Sequence, residues 1–196
     1  LDFHSKLIGK FNLENIVLSA AIALEINISP KSISRGIKNC TNINGRLHLI
    51  QNRSNQLIFL DYGHTPDAYL KVLKTLKDNF NKHLKVHFGA GGGRDKSKRP
   101  KMAAVVEKFT VESYLAPDNP RFEDIESINA DVINGFLKSN HYSFNDRKKA
   151  LEFALKNLKP EEILIIFGKG TEEYQEIDGV KHFYSDIDII NNFYAN

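Results

Sequence analysis

The chain has 196 residues, of which 41% are hydrophobic, and its 27 basic and 24 acidic residues give a formal net charge of +3. This length provides a core for one α/β domain with a smaller appendage, and so balanced a charge excludes the basic footprint of nucleic-acid-binding proteins. Cys40 is the only cysteine, which excludes an internal disulfide and indicates a reducing compartment, so we expect a cytoplasmic protein without membrane contact, and a monomer.

The first part of the chain is predicted to be helical. Residues 12–26 carry apolar side chains at helical spacing, and Ser-Pro opens a second short helix over residues 29–38. Residues 39–45 are rich in Asn, Thr and Gly and indicate a linker. We therefore divide the chain into a helical unit, residues 1–43, and a second domain, residues 44–196.

Strands and helices are predicted to alternate in the second domain. Apolar runs that indicate strands are Leu47–Ile50, Leu57–Leu60, Leu84–Phe88, Val111–Ala116, Ile163–Phe167 and Val180–Tyr184. Helical patterns cover residues 66–79, 99–109, 124–138 and 146–158, and Ser185-Asp186 can cap a final helix to Phe193. This alternation predicts a Rossmann-like, doubly wound, mostly parallel sheet. Ligands of such sheets bind at the carboxyl ends of the strands, so the residues after each apolar run are the candidates.

The first candidate motif, Asp61-Tyr62-Gly63-His64-Thr65-Pro66-Asp67, follows a predicted strand. Thr65 and Pro66 are explained as the cap and first residue of the next helix. Asp61 and His64 are not explained by that helix start. A carboxylate here suits a ribose hydroxyl, and a histidine suits stacking or a polar contact. A plain turn with a solvated histidine is the alternative.

The second motif is a glycine run followed by charges, Gly89-Ala90-Gly91-Gly92-Gly93-Arg94-Asp95-Lys96-Ser97-Lys98-Arg99-Pro100. Glycines let the backbone approach a ligand closely, and Arg and Lys bind phosphate or carboxylate. The run is not a Walker loop, because no Gly-Lys-Thr/Ser follows at the required spacing. It is not a dinucleotide fingerprint either, because Lys96 stands where the third glycine belongs. A flexible basic loop without a ligand is the alternative.

The third motif is Asp118-Asn119-Pro120-Arg121, which follows Pro117 at the end of a predicted strand. Pro120 restricts Asn119 to an extended conformation, so we expect the Asn119 side chain to project into the site. Arg121 offers a two-pronged partner for a carboxylate. Taken alone, the tetrapeptide is also typical of a common proline turn.

The fourth motif, Gly168-Lys169-Gly170-Thr171-Glu172, follows the most apolar predicted strand, and its glutamate can bind an amine. Taken alone it is weak, but all four motifs fall at carboxyl ends of strands in one sheet and are expected to converge. Arg94 and Arg121 would then face carboxylates, while Asp118 and Glu172 would face ammonium groups. The sequence therefore predicts a site for a multiply charged amino acid.

In order and spacing, the motifs resemble the C-terminal third of the Mur ligases, the ATP-dependent amino-acid ligases of bacterial cell-wall synthesis. The resemblance extends to Phe11-Asn12-Leu13-Glu14-Asn15 and to Gly45-Arg46. The most similar branch adds the third residue of the peptidoglycan stem peptide. That branch uses ATP and Mg²⁺ to join an amino acid to UDP-N-acetylmuramoyl-L-alanyl-D-glutamate. Asp-Asn-Pro-Arg implies that the amino acid is meso-diaminopimelate, with the arginine on its distal carboxylate.

The resemblance also implies individual roles. The diaminopimelate site would comprise Arg94, Asp118, Asn119, Arg121, Gly168 and Glu172. The nucleotide would be contacted by Asn12, Arg46, Asp61 and His64, with Asn12 near the adenine. Lys98 matches a lysine of the family's active-site loop and is our expected catalytic residue. No metal ligand is expected in this chain, because Mg²⁺ would be held mainly by the central ATPase domain, whose helical end residues 1–43 resemble.

Four positions depart from the family pattern: Gly63, Gly93, Ser97 and Thr171 stand where Ala, Asp, Gly and His are usual. The chain begins with Leu1 and contains no Gly-Lys-Thr loop, so we expect it to be part of a longer ligase and inactive alone. Two alternatives stay open. The first is a lysine-adding or folylpolyglutamate-type ligase, and the second is a non-catalytic module that binds an amino acid or a nucleotide.

Overall fold

The computed structural model describes residues 2–50, 54 and 56–195. The chain divides into two compact units, Leu1–Ile43 and Asn44–Asn196. The first unit contains α1 (Lys10–Glu25) and α2 (Pro30–Asn39), and the Ser29 side chain caps α2 by accepting a hydrogen bond from the amide of Ser32. No helix in the described part of the chain has the length and hydropathy that a bilayer-spanning segment requires.

The second unit is a sheet with helices on both faces. Its strands are β1 (His48–Ile50), β2 (Leu57–Asp61), β3 (His83–Phe88), β4 (Glu112–Leu115), β5 (His141–Ser143), β6 (Glu162–Phe167), β7 (Tyr174–Ile177) and β8 (Val180–Phe183). Its helices are α3 (Pro66–Asn79), α4 (Lys98–Phe109), α5 (Ile125–Ile133), α6 (Arg147–Lys156) and α7 (Asp186–Ala195). Among the described residues the main sheet has the order β1-β2-β6-β3-β4-β5, and only β1 runs antiparallel to its neighbour. The predicted doubly wound, mostly parallel sheet is confirmed.

The core lies on both sides of β6, which is buried along its whole length. One face of the sheet packs against α6 and α7, where Leu151 and Ile190 join a cluster of buried hydrophobic side chains. On the other face, Tyr69 of α3 stacks on Phe167 at a centroid distance of 4.0 Å. An apolar strand covered on both faces explains why β6 is a continuous hydrophobic run in the sequence.

Some elements differ from the prediction. The strands β5 and β7 are short and only partly buried, so neither has the apolar run on which the prediction depended. The predicted strand at residues 180–184 is β8, which pairs with β7 in a separate antiparallel hairpin. The helix predicted over residues 124–138 ends at Ile133, because the chain turns against α4 at Gly135, where a Cβ would lie 1.9 Å from the Pro100 carbonyl oxygen.

A buried lysine ties together the amino ends of three parallel strands. Lys85 Nζ lies 2.9 Å from a carboxylate oxygen of Glu112 and 3.1 Å from one of Glu162, and its side chain is 7% exposed. It also donates a hydrogen bond to the Asn157 carbonyl oxygen at 2.8 Å. Burial opposes the charge of Lys85, but the two carboxylates outweigh it and raise the pKa of the amine.

A buried ion pair links α6 and α7, which cover one face of the sheet, to the carboxyl end of β6. Arg147 and Asp186, the first residues of α6 and α7, are fully buried, and Nη2 lies 2.9 Å from Oδ2. Arg147 Nη2 also donates to the Phe167 carbonyl oxygen at 2.9 Å. Nearby in β3, His87 is fully buried, and burial, with the positive charge of Arg147, lowers its pKa to about 3.

Candidate amino-acid site

The loops that follow β2, β3, β4 and β6 meet at one cavity of about 240 Å³. Tyr62 and His64 come from the first loop, and Glu172 and Gly168 from the last. The two middle loops contribute Gly89, Ala90, Gly91, Arg94, Asp118, Asn119 and Arg121, and α4 contributes Lys98 and Met102. The sequence-based expectation that the four motifs converge is confirmed by this geometry.

The glycine run is required by close contact with the loop after β4. A Cβ at Gly89 would lie 1.8 Å from the Ala116 carbonyl oxygen, and one at Gly92 would lie 1.8 Å from that of Pro120. The Gly92 amide donates to the Asn119 carbonyl oxygen at 2.9 Å. These glycines therefore bring two loop backbones together, a closer approach than any side chain permits.

The charges that follow the glycines divide into two groups. Arg94 and Lys98 line the cavity, whereas Arg99 is 1% exposed and does not line it. The Arg99 guanidinium makes a bidentate pair with Glu123, at 2.7 and 2.8 Å, and also contacts Asp131 at 2.8 Å. Hydrogen bonds from Arg99 and Lys96 hold the pKa of Glu123 well below its usual range. Arg99 thus anchors the loop, a role that the sequence reasoning missed.

Asn119 lines the cavity, as expected, but it is only 5% exposed, and its side-chain amide is held by hydrogen bonds within the protein. Its Oδ1 accepts hydrogen bonds from Lys169 Nζ at 2.5 Å and from the Glu176 amide at 2.9 Å. Its Nδ2 donates to Glu172 Oε2 at 3.2 Å. The strand β7, which was not predicted, supplies the Glu176 backbone amide. The hydrogen bond from this amide holds the Asn119 side chain inside the protein. Asn119 therefore borders the cavity mainly as a link between the third and fourth loops.

Lys169 is the main member of the site that sequence reasoning missed. The residue is fully buried, and Nζ lies 3.2 Å from Asp118 Oδ1 and 3.4 Å from Glu172 Oε2. It also donates to Asn119 Oδ1 and, at 2.7 Å, to the Tyr174 carbonyl oxygen. Burial lowers the pKa of this amine, although Asp118 opposes the shift. The only signal in the sequence was its place between two glycines directly after a buried strand.

The Arg121 guanidinium is held from two sides. Nη1 donates to the Gly92 carbonyl oxygen at 2.9 Å, and Nε lies 3.3 Å from Glu176 Oε2. The backbone of Arg121 has a positive φ of 56°, and its amide donates to the Glu176 carbonyl oxygen at 2.9 Å. Within the described part of the chain, Nη2 has no hydrogen-bond partner. The arginine is therefore fixed in direction while one nitrogen is left for a ligand.

Asp61 is fixed by the backbone around it. Its Oδ2 accepts from the Leu47 amide at 2.8 Å, its Oδ1 accepts from the Gly63 amide at 2.7 Å, and the residue is 5% exposed. Burial raises the pKa of this carboxyl group, while the two amides oppose the shift. Asp61 thus shapes the first loop, and its contact with a ribose stays a prediction.

Other nucleotide candidates differ in position. The Arg46 side chain is exposed and lies over the ring of Tyr62, 5.1 Å from its centroid. His64 is exposed at the cavity, with Nδ1 3.0 Å from the Tyr62 carbonyl oxygen. Asn12 belongs to the first unit, where it is 3% exposed and donates to the Ile8 carbonyl oxygen at 2.8 Å. Tyr62, which the sequence reasoning did not select, donates its hydroxyl to Glu172 Oε1 at 3.2 Å.

Position at the strand ends identifies the site better than volume does. A larger cavity of about 650 Å³ lies beside α6 and α7 and involves none of the four loops. Among residues 2–50, 54 and 56–195, no group of three or more His, Cys, Asp or Glu side chains is placed to hold a metal ion. The smaller cavity is the one at which the four loops and their charged side chains meet.

Together, the fold and this cavity define a class: a doubly wound α/β domain that presents charges of both signs at its strand ends. The model of one family, described as "Mur ligase, glutamate ligase domain", matches residues 45–170. The chain belongs to the Mur ligase family, and the resemblance found in its motifs is confirmed.

Individual relatives agree with this assignment. UDP-N-acetylmuramoyl-L-alanyl-D-glutamate–2,6-diaminopimelate ligases from Aquifex aeolicus and Lawsonia intracellularis are 38% and 40% identical over 190 and 185 residues. The matches cover 96% and 94% of this chain, but only 39% and 38% of those relatives. The chain therefore spans about two-fifths of the length of these relatives.

Solved structures show the same fold. A structure of a UDP-N-acetylmuramoyl-L-alanyl-D-glutamate–2,6-diaminopimelate ligase is 34% identical with a TM-score of 0.76, and the match covers 98% of this chain and 40% of that one. A Mycobacterium tuberculosis folylpolyglutamate synthase complexed with ADP has a TM-score of 0.70 at 19% identity, over 85% of this chain and 39% of that one. At that identity the second likeness shows the fold alone.

Proposed function

We propose that this chain is the C-terminal part of an ATP-dependent ligase that joins meso-diaminopimelate to UDP-N-acetylmuramoyl-L-alanyl-D-glutamate. The observation that carries the proposal is the mixture of charges at one cavity, with Arg94, Lys98 and Arg121 beside Asp118 and Glu172. The names of the relatives, which are 38% and 40% identical, give the same substrates. The reaction serves peptidoglycan synthesis, and we also propose a cytoplasmic, monomeric enzyme.

The charges match the amino acid. Meso-diaminopimelate carries two ammonium groups and two carboxylates, so it needs partners of both signs. Arg121 Nη2 and the Arg94 guanidinium are proposed for a carboxylate, which an arginine binds with strong, charge-assisted hydrogen bonds. Asp118 and Glu172 are proposed for an ammonium group, and the backbone of Gly168 leaves room beside them. Lysine lacks the second carboxylate and would leave Arg121 without its partner.

In the proposed reaction, ATP supplies the phosphoryl group that activates the carboxylate of the UDP-linked dipeptide. The amine of diaminopimelate then attacks the carbonyl carbon of the acyl phosphate, the new amide bond forms and inorganic phosphate leaves. The residues of this chain hold the acceptor so that its amine faces that carbon, which is catalysis by positioning. Lys98, the first residue of α4, is proposed as the catalytic cation at the cavity wall.

The nucleotide contacts proposed for this chain come from both units. Arg46 and His64 are exposed, which fits contacts with the phosphates and the ribose. Asn12 lines a cavity of about 220 Å³ in the first unit, together with Leu7, Ile16 and Ile37, and a planar base suits such walls. Mg²⁺ has no proposed ligand here, because the cavity carboxylates, Asp118 and Glu172, already contact Lys169.

The test is acceptor-dependent release of phosphate from ATP by the complete ligase polypeptide. With the UDP-linked dipeptide present, we expect release with meso-diaminopimelate and little with L-lysine or L-glutamate. Preference for lysine or glutamate would favour the lysine-adding or folylpolyglutamate-type alternative. Binding of diaminopimelate without any release, in a polypeptide that lacks a Gly-Lys-Thr loop upstream of Leu1, would favour a non-catalytic module.

A further inference from the structure

Lys169 places one buried ammonium group among side chains of two different loops. We propose that Lys169 is the positioning residue of the amino-acid site, setting the orientation of Asn119 and the directions of the Asp118 and Glu172 carboxylates. The inference rests on the proposed function, because it assigns a task within the acceptor site. Since Lys169 is fully buried, it acts through its neighbours and does not touch the substrate.

The orientation of the Asn119 amide depends on Lys169. Both donors that approach Oδ1, Lys169 Nζ and the Glu176 amide, require an oxygen at that position. Nδ2 is then forced toward Glu172, to which it donates at 3.2 Å. One cation therefore fixes which end of the amide faces the fourth loop, and a fixed network of this kind is more rigid than its separate bonds.

Lys169 also contacts one oxygen of each of the two carboxylates. Asp118 Oδ1 and Glu172 Oε2 face Nζ at 3.2 and 3.4 Å, which directs the second oxygen of each group away from the ammonium. Asp118 and Glu172 are partly exposed at the cavity, with side chains 14% and 21% accessible. Without the cation, the two carboxylates would repel each other and change direction. The positive charge of Lys169 offsets one of the two carboxylates. The three side chains, Lys169, Asp118 and Glu172, therefore keep a negative charge that suits one ammonium group of the acceptor.

A second buried lysine in the same sheet provides a matched control. Lys85 also lies between two carboxylates and also donates to a backbone carbonyl oxygen. Its partners, Glu112 and Glu162, begin β4 and β6, so they lie at the edge of the sheet opposite the cavity. Lys85 and Lys169 thus each lie buried beside two carboxylates but differ in their distance from the site.

The experiment compares Lys169→Met with Lys85→Met in the complete ligase. We measure kcat, the KM values for meso-diaminopimelate, ATP and the UDP-linked dipeptide, and the thermal midpoint. Both substitutions remove a buried charge and leave carboxylates unpaired, so both are expected to lower the midpoint. For Lys169→Met we expect KM for diaminopimelate to rise about tenfold or more, with the other two KM values within about twofold. For Lys85→Met we expect every KM value within about twofold of wild type.

The outcomes separate positioning from general stability. An unchanged KM for diaminopimelate in Lys169→Met, or equal rises in both variants, would overturn the inference. If Lys169→Met does not fold, Lys169→Gln keeps a donor without the charge, and the same selective rise in KM is expected. A wild-type ligase that prefers another acceptor would refute the proposed function instead, and the Lys169 comparison would then be made with that acceptor.

Discussion

Arg121 and Glu176 are joined twice, through the backbone and through their side chains. The Arg121 amide donates to the Glu176 carbonyl oxygen at 2.9 Å, and Nε lies 3.3 Å from Oε2. The side chains are 25% and 24% exposed, so water partly screens this ion pair. The hairpin of β7 and β8 therefore sets the direction of the arginine while leaving Nη2 for a ligand.

Replacing Arg121 tests its proposed role directly. In the complete ligase, Arg121→Ala leaves the distal carboxylate of diaminopimelate without its partner, which costs about 2–5 kcal/mol in kcat/KM. Lys96→Ala is the control, because Lys96 is a cation of the neighbouring loop that is 65% exposed and pairs with Glu123. Steady-state kinetics check both variants. Kinetics with diaminopimelate that do not change in Arg121→Ala would refute the assignment.

Glu176→Gln tests whether the partner of Arg121 competes with the substrate. The substitution removes a negative charge beside the proposed carboxylate position and keeps an oxygen that can accept from Nε. We expect diaminopimelate to bind more tightly by about 0.5–1 kcal/mol, a twofold to fivefold lower Kd, with the gain shrinking at high salt. Isothermal titration at low and high ionic strength measures this. Weaker binding would show that Glu176 supports the arginine more than it opposes the ligand.

Gly92→Ala tests the close contact between the second and third loops. Its Cβ would lie 1.8 Å from the Pro120 carbonyl oxygen, so the backbones must separate, at a cost of about 1–3 kcal/mol in stability. Gly36→Ala is the control, because nothing lies within 4 Å of its Cβ and Ala in a helix is better by roughly 0.5–1 kcal/mol. Thermal midpoints and diaminopimelate binding are measured for both. A Gly92→Ala protein as stable as wild type would contradict the contact.

His87 predicts how stability depends on pH. Its pKa is about 3 in the folded protein, whereas an unfolded chain has the ordinary value of 6.5. Between these values the unfolded chain binds more protons, so the free energy of unfolding falls as the pH falls, by about 2 kcal/mol between pH 7 and pH 5. In His87→Leu the free energy of unfolding should fall by about 2 kcal/mol less between pH 7 and pH 5, because the titrating imidazole is absent. Urea unfolding at both pH values measures it, and an equal decrease in both proteins would contradict the assignment.

Patterns of polarity at strand ends were enough to predict that the four loops converge on one cavity. The apolar runs identified the parallel strands, and the topology of such a sheet brings their carboxyl ends to one edge. The start of α3 was also predictable, and Thr65 caps it by accepting from the Ala68 amide at 3.3 Å. These features depend on local patterns that the sequence displays directly.

Which charged side chains turn inward was not predictable. Lys98 and Arg99 are adjacent in one basic run, yet Lys98 lines the cavity and Arg99 is buried. Arg99 is buried because it pairs with Glu123 and Asp131, which lie far from it in the sequence. Lys169 is buried because Asn119 and Asp118, from another loop, pair with it. The hairpin was not predictable, because β7 has too few apolar residues to indicate a strand.

The most direct measurement is a calorimetric comparison of meso-diaminopimelate with L-lysine. Both ligands are titrated into the complete ligase with nucleotide present, so that the site is in its working state. Because Arg121 would pair with the second carboxylate, which lysine lacks, we expect diaminopimelate to bind more tightly by about 2–5 kcal/mol. Lysine binding as tightly as diaminopimelate, or more tightly, would contradict the proposed function of this site.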